Sequence, residues 1–521
     1  MRQPESPTGL KAFLQKFTGL ASAPRELWII YIAYIFENLA YKVGAAGVVV
    51  LWLTDDVFGA GYPGIDVKAA SIYAFWSAIM TLVTVMIGPL TDALGIRKTF
   101  LLGFWVCLVS RIVMAVTVNK WIVLPWGLFL QGVGIALLVP VMAAGCKRYT
   151  NAFQRSLAFS LYYALMNLGY AIGDGIFDHL RGKGGLGEHG SWMVPWLGME
   201  LSTYRVLILL SVVFTVPGLI LVWFTLREGV EMTETGVRIL PPKPNLNAGL
   251  GPLVSLYRSA RATVAETLRI FKALVPQRAF HRFLIFMSLV VGVKMIFYHL
   301  VVTFPKFGIR ELGEGAPFAH LSGMLNSVMI VVLVPLCGAL TQKVSAYRMV
   351  TFGSLISALS VFFIALPAHW FQPLADGWVG DMIVHRWLGV AGPVNPYWIS
   401  IFLFVVMLSL GEAFWSPRLY EYAAAIAPKG QEASYMALSL LPYFVAKFTV
   451  GMSSGWLLKW FCPAEGPRSP GTMWFIIGCM ALITPVGTFL FRKHLQLQES
   501  GREPVITKAE AAAEEEEAGH G

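Results

Sequence analysis

Apolar stretches of about 20 residues recur along the whole chain and alternate with short polar segments. A helix of that length crosses ~30 Å of hydrocarbon. We therefore predict an all-α, polytopic membrane protein with twelve transmembrane helices. The predicted spans, numbered one to twelve from here on, are 27–53, 69–91, 99–118, 122–145, 156–178, 204–226, 283–303, 319–341, 348–366, 396–417, 433–458 and 471–491.

Composition supports the same class of protein. Hydrophobic residues make up 56% of the 521 positions and charged residues only 13%, whereas soluble proteins carry about 25% charged residues. The net charge is +10. Most Lys and Arg residues fall in segments that are cytoplasmic if both termini are cytoplasmic, as the positive-inside rule requires. We therefore expect a multi-pass protein of the plasma (inner) membrane with cytoplasmic termini, and no nucleic-acid partner.

The polar segments divide the chain into five parts. We predict a cytoplasmic N-terminal segment (1–26), a six-helix bundle (27–226), a cytoplasmic linker (227–282), a second six-helix bundle (283–491) and an acidic, disordered cytoplasmic tail (492–521). Apolar linker residues recur every three or four positions, which predicts an amphipathic helix on the inner membrane face; a solvated linker is the alternative. That stripe consists of Leu253, Tyr257, Ala260, Val264, Leu268 and Phe271.

A short motif follows the second span of each half. Residues 88–98 read GPLTDALGIRK and residues 338–348 read GALTQKVSAYR, the second copy having lost its acid. The first copy resembles the loop signature of the major facilitator superfamily. The resemblance implies two six-helix bundles related by a pseudo-twofold axis, a substrate cavity between them and transport by alternating access. It also implies a gating role for Gly88, Asp92, Gly95, Arg97 and Lys98.

Ionisable residues interrupt several of the apolar spans. Each costs about 2.5–3.5 kcal/mol near the bilayer centre, so each needs a partner or a water-filled cavity. We interpret them as a substrate and ion pathway; structural ion pairs or snorkelling side chains are the alternative. The residues are Glu37, Lys42, Arg111, Lys294, Glu412 and Lys447.

The balance of this set favours an anionic substrate, because bases outnumber acids. Glu37 and Glu412 are the candidate proton carriers. His299 is a candidate relay, unless it is an ordinary interface residue. The predicted substrate-binding residues are three lysines with aromatic and amide neighbours, namely Tyr41, Lys42, Tyr162, Asn167, Lys294, Asn326, Trp415 and Lys447.

Three further stretches resemble signatures of the proton-dependent oligopeptide transporter family. Span five reads FSLYYALMNLG, span ten reads GEAFWSP, and span eight carries Asn326 followed by Pro335. The family's first-helix E-x-x-E-R motif keeps only Glu37, because Tyr34 and Asn38 stand at its first acid and its arginine. The resemblance therefore indicates a diverged member, to which the family's peptide-carboxylate site cannot be transferred residue by residue.

These patterns predict proton-coupled symport of small peptides or related carboxylate-bearing metabolites, with the substrate, protons and the bilayer as partners. Proton-coupled export of drug-like or organic-anion substrates is an alternative. A non-transporting receptor or a membrane-embedded enzyme belongs to another class. We expect no enzyme, because neither H-E-x-x-H nor G-x-S-x-G occurs in a suitable context. We expect a monomer without cofactor or metal.

Overall fold

The computed structural model describes residues 20–59, 61–182, 184–195, 198–233, 236–239, 278–341, 344–426 and 441–495, with isolated residues between 254 and 276. The first half contains helices Arg25–Gly44, Val48–Trp52, Ile65–Leu94, Ile96–Val116, Lys120–Ile122, Leu130–Arg148, Ala152–Arg181 and Thr203–Thr225, with π-helical turns Leu53–Val57 and Val123–Phe129. The second half contains helices Arg278–Val302, Phe304–Leu312, Asn326–Leu340, Ala346–Ser360, Phe362–Ala365, Gln372–Ala375, Trp378–Gly380, Tyr397–Ile426, Leu441–Phe461, Pro470–Ala481, Ile483–Leu490 and Arg492–Leu495. It also has π-helical turns His320–Leu325 and Asp381–Trp387 and a 3-10 turn Ala368–Phe371.

Long helices stand at the places of all twelve predicted spans. Within the described residues, ten segments are long and apolar enough to cross a membrane. The remaining two helices, Ala152–Arg181 and Leu441–Phe461, stand at the places of spans five and eleven. Because both lie where the two halves meet, their polar side chains face protein and not lipid alone. The all-helical, multi-span prediction is thus confirmed.

Local sequence signals mark several helix ends. Asn151 and Gln154 form a reciprocal capping box at the start of span five. The Ser202 side chain accepts a hydrogen bond at the start of span six. Gly95 separates spans two and three with a φ of +85°, a conformation that a residue with a Cβ rarely adopts. This explains why the loop signature has glycine at that position.

The two halves contact each other mainly through two pairs of helices, spans two with eleven and spans five with eight. The first pair packs unusually closely. A Cβ added at Gly451 of span eleven would overlap the Cβ of Ala74, and one at Gly455 would lie 2.6 Å from the Cα of Val67. Small residues four apart thus let the two helix backbones approach.

Two short antiparallel hairpins were not expected from the sequence. Strands β1 (Ser191–Val194) and β2 (Met199–Ser202) pair between spans five and six. Strands β3 (Val230–Thr233) and β4 (Gly236–Ile239) pair at the start of the linker. Of the apolar stripe predicted for the linker helix, only Tyr257 is among the described residues, and it is exposed. The tail beyond residue 495 lies outside the described residues, so the domain boundaries stay predictions.

Candidate functional site

The charged residues inside the described spans include three groups. The inner pair, Glu37 and Arg111, lies within the first half. The external cluster consists of Lys42, Asp174, Asp178 and His320. It lies where the halves meet, toward the face predicted to be external. The central cluster lies nearer mid-span, where spans five and eight meet span ten. Its members are Tyr163, Lys294, Asn326, Glu412, Trp415 and Lys447.

The inner pair is a bidentate salt bridge. Arg111 Nη2 lies 2.7 Å from Glu37 Oε1, and Nη1 lies 3.0 Å from Oε2. The guanidinium is fully buried and also donates to the Thr215 hydroxyl. The pair therefore joins spans one, three and six of the first half. Proton carriage by Glu37 stays a prediction, and it would require this salt bridge to open.

The external cluster begins with Lys42 and two acids of span five. Lys42 Nζ lies 3.1 Å from Asp174 Oδ1 and 5.5 Å from the centre of the Tyr170 ring. One turn further along, Asp178 Oδ2 accepts the backbone N–H of His320 at 2.6 Å and lies 2.6 Å from the ring Nδ1. Since His320 belongs to the second half, this contact joins the halves.

Asp174 and Asp178 were missing from the set predicted from the sequence. Both lie inside predicted span five, where most neighbouring residues are apolar. The apolar character of the whole segment drew attention away from these two acids. Their spacing of four residues places them on one face of a helix. That spacing is the signal that could have found them.

The loop beyond the external cluster continues the contact between the halves. Arg181 lies 4.8 Å from the Phe177 ring and 4.6 Å from the Phe318 ring, and it pairs with Glu188 at 2.8 Å. Glu188 Oε2 accepts the backbone N–H of Gly315 at 3.0 Å. Burial by itself would raise the pKa of Glu188, but the guanidinium and these donors hold that pKa below its usual value.

Two bases after span seven make further contacts with the first half. Lys306 Nζ donates to the Thr54 hydroxyl at 2.9 Å and lies 3.8 Å from Asp55 Oδ1. Arg310 pairs with Asp66 at the start of span two. Together with the external cluster, these contacts close the predicted external face.

Glu412 is held in the central cluster by both halves. Its Oε1 accepts the Tyr163 hydroxyl of span five at 2.7 Å, and its Oε2 accepts the Asn326 amide of span eight at 2.9 Å. Asn326 also donates to the Ser409 hydroxyl at 2.9 Å. Each carboxylate oxygen therefore has a neutral donor, and neither has a salt-bridge partner within 4 Å among the described residues.

Lys294 lies beside aromatic rings in the same cluster. Its ammonium is 4.6, 5.6 and 5.7 Å from the ring centres of Trp415, Phe297 and Tyr443. Among the described residues, no carboxylate lies within 4 Å of this ammonium, and no acceptor binds it. Glu412 is within electrostatic range. Lys294 is thus a cation whose nearest contacts are neutral.

Lys447 connects the central cluster to span two. Its Nζ donates to the Thr81 hydroxyl at 2.9 Å and lies 5.8 Å from the Tyr298 ring centre. Lys294 is within electrostatic range. Two ammonium groups and one carboxylate therefore share the region between the halves.

Three other predicted substrate-binding residues have partners within the first half. Tyr162 stacks on Tyr34 with ring centres 4.5 Å apart. Tyr41 lies 6.2 Å from Tyr170, beside the external cluster. The Asn167 amide donates to the Tyr163 carbonyl of its own helix at 2.9 Å. The structure does not bring these three into the central cluster.

The remaining predicted residues lie elsewhere. His299 is buried, its Nδ1 lies 2.8 Å from the Thr303 hydroxyl, and none of the described acids contacts it. Arg97 donates to the Trp223 carbonyl at 2.8 Å and lies 3.8 Å from Glu228. Lys98 is exposed. The side chains at positions 88 and 92 (Gly88 and Asp92) lie outside the described residues, and the roles in this paragraph stay predictions.

A sequence profile of the Major Facilitator Superfamily matches residues 27–384. The chain belongs to the Major Facilitator Superfamily. The twelve-helix major facilitator architecture expected from the sequence is confirmed. The match also identifies the chain as an integral membrane transporter.

Solved structures of superfamily members share this fold. One is a POT family transporter in complex with 5-aminolevulinic acid (TM-score 0.63, 17% identity, 91% of this chain and 97% of that chain). Another is a POT family transporter in complex with a thioalcohol-conjugated peptide, with the same values. A third is a mutant of peptide transporter POT in complex with alafosfalin (TM-score 0.62, 17% identity, coverage 93% and 99%). Such low identity shows the fold alone. No curated protein matches the chain at a significant level by sequence.

In superfamily transporters, the substrate passes between the two halves. The external and central clusters lie on that boundary, whereas the inner pair does not. The central cluster contributes charges of both signs from spans seven, ten and eleven. It is therefore the candidate substrate site, and the external cluster is a candidate gate.

Proposed function

We propose that this protein is a proton-coupled symporter of small peptides or related carboxylate-bearing metabolites that works by alternating access. The observation that carries the proposal is the position of Lys294. Its ammonium lies in the central cluster beside aromatic rings of the second half, with no anion within 4 Å among the described residues. A substrate carboxylate would supply the missing negative charge.

A comparison of the desolvation cost with the cation–π gain supports an anionic ligand at Lys294. Complete burial of an ammonium costs several kcal/mol, and the half-buried Lys294 side chain bears part of that cost. A cation–π contact returns about 0.5–2 kcal/mol, so the rings offset only part of the cost. Glu412 is the nearest acid, but its oxygens are engaged with Tyr163 and Asn326. A carboxylate bound directly to Lys294 would therefore gain more here than at an exposed lysine.

Glu412 is the proposed point of proton coupling at the substrate site. Either a proton or a substrate amino group could neutralise its carboxylate. Tyr163 belongs to the first half, so a change in the charge of Glu412 alters a contact between the halves. Glu37 and His299 are retained as further candidate proton carriers.

The structural neighbours support the substrate class. Their bound molecules include a conjugated peptide and 5-aminolevulinic acid; the latter, by its name, has both an amino group and an acid group. Such a molecule offers a carboxylate to Lys294 and an amino group to Glu412. The shared fold makes this comparison relevant, and the test below does not depend on it.

Flux measurements in proteoliposomes test the proposal. We expect a labelled dipeptide to accumulate when the outside is acidic and to stop accumulating when a protonophore removes the gradient. Accumulation driven by the opposite gradient would indicate the export alternative. Binding without flux under either gradient would indicate a receptor. Absence of both binding and flux for peptides and amino acids with a free carboxylate would refute the proposed substrate class.

A further inference from the structure

Asp174 has one carboxylate oxygen with a partner and one without. Oδ1 lies 3.1 Å from Lys42 Nζ. Oδ2 is buried and has no hydrogen-bond partner among the described residues, and the whole residue is only 4% exposed. An ionised carboxylate that is half unsatisfied in this way carries a desolvation penalty. A protonated carboxyl group avoids most of it.

The unpartnered oxygen faces the other half of the molecule. A Cβ added at Gly323, on the π-helical turn that begins span eight, would overlap Asp174 Oδ2. The carboxylate therefore packs directly against the backbone at Gly323 of the second half. Separation of spans five and eight would expose Oδ2 to water from the predicted external side.

Among the described residues, three charged or titratable groups act on this carboxylate. Lys42 comes from span one, Asp178 from span five itself and His320 from span eight. Lys42 and, when protonated, His320 favour the ionised carboxylate, and Asp178 opposes it. Both oxygens of Glu37, by contrast, are already bound by one guanidinium.

We propose that Asp174 is a proton-binding site whose protonation favours closure of the predicted external face. In the open state, water solvates Oδ2 and the carboxylate is ionised. Closure against Gly323 removes that water, so a proton taken up from solution by Oδ2 stabilises the closed state. The inference deepens the proposed symport by naming a proton site at the gate, yet the gate can be followed without substrate. A single site changes the ratio of closed to open molecules by at most about tenfold per pH unit.

Hydrogen–deuterium exchange of the full-length, substrate-free protein tests this proposal. Segment 313–325 is the reporter, because the amides of Gly315 and His320 donate across the boundary to Glu188 and Asp178. After correction for intrinsic exchange rates, we expect its protection in the wild type to rise between pH 8 and pH 5. Asp174→Asn should be protected at every pH, without that dependence.

Two further variants separate the possible outcomes. His320→Gln is the matched control, since histidine also changes charge near neutral pH; it should keep the pH dependence. Gly323→Ala should lower protection at every pH, because its methyl group occupies the place of Oδ2. Wild-type pH dependence in Asp174→Asn, or its loss in His320→Gln alone, would overturn the proposal. None of these results depends on peptide flux, so the proposal of symport and the proposal of a proton-binding gate can be refuted separately.

Discussion

Glu37 and Lys294 represent two ways of carrying charge inside apolar helices. Glu37 has a bidentate partner and belongs to the packed interior of the first half. Lys294 lies beside three aromatic rings and has no carboxylate within 4 Å among the described residues. A buried ion pair contributes to the structure, whereas a half-buried cation without an anion beside it is suited to bind a ligand. We therefore assign different consequences to changes at the two positions.

Arg111→Ala should strongly destabilise the first half. It leaves the Glu37 carboxylate buried without its counter-ion, and such a change costs about 3–5 kcal/mol. Thermal unfolding in detergent measures the loss. Arg386→Ala is the control, because Arg386 forms an exposed pair with Asp381 that should contribute nothing measurable. Equal melting temperatures for both variants would contradict the structural role of the inner pair.

The sequence showed which charged residues are costly to place in the membrane, but it did not show which of them pair with each other. Insertion cost identifies Lys42 and Lys294 from hydropathy alone. Pairing depends on the rotation and packing of helices distant in sequence, so neither the Lys42–Asp174 contact nor the aromatic surroundings of Lys294 could be predicted. Asp174 itself was missed because apolar neighbours masked it.

At the scale of helices, the contact between spans two and eleven depends on small side chains. Gly451 and Gly455 lie one turn apart and face Ala74 and Val67. The pattern of two glycines four apart is visible in the sequence, but its partner helix is not. Hydropathy predicted the helices. The two hairpins were missed because their strands have only four residues each, too few for a clear alternation of polar and apolar positions.

Gly451→Leu should abolish transport. A leucine side chain would push span eleven away from Ala74, and the two halves could no longer close together. Uptake by proteoliposomes measures the effect. Val445→Leu is the control on the same helix, because Val445 is exposed on its outer surface. Wild-type uptake by Gly451→Leu would show that close packing of these helices is not required.

Glu188→Gln should weaken the contact with Gly315 equally at pH 6 and pH 8. Because the folded pKa of Glu188 lies below its ordinary value, its stabilising effect is present above that ordinary pKa of about 4.3 and is lost only as pH falls through the lowered folded value. Hydrogen exchange of segment 313–325 measures the loss. A loss of protection, measured relative to the wild type at the same pH, that differed greatly between pH 6 and pH 8 would contradict this ionisation state.

At the scale of the whole molecule, the two halves meet along two pairs of helices and close the predicted external face. The twelve spans followed from hydropathy, and the superfamily match confirms the architecture. The closed face could not be predicted, because its contacts join residues far apart in sequence, such as Arg310 and Asp66. The central cluster lies on the same boundary, which is why we assign substrate binding to it.

Binding of a dipeptide to the purified protein tests that assignment most directly. Isothermal titration calorimetry would compare the wild type, Lys294→Gln and the exposed control Lys459→Gln, using a dipeptide and the same dipeptide with an amidated C-terminus. We predict that Lys294→Gln and C-terminal amidation each weaken binding at least about tenfold, or about 1.4 kcal/mol, with no further loss when they are combined. Equal affinity of wild type and Lys294→Gln for the free dipeptide would contradict the account.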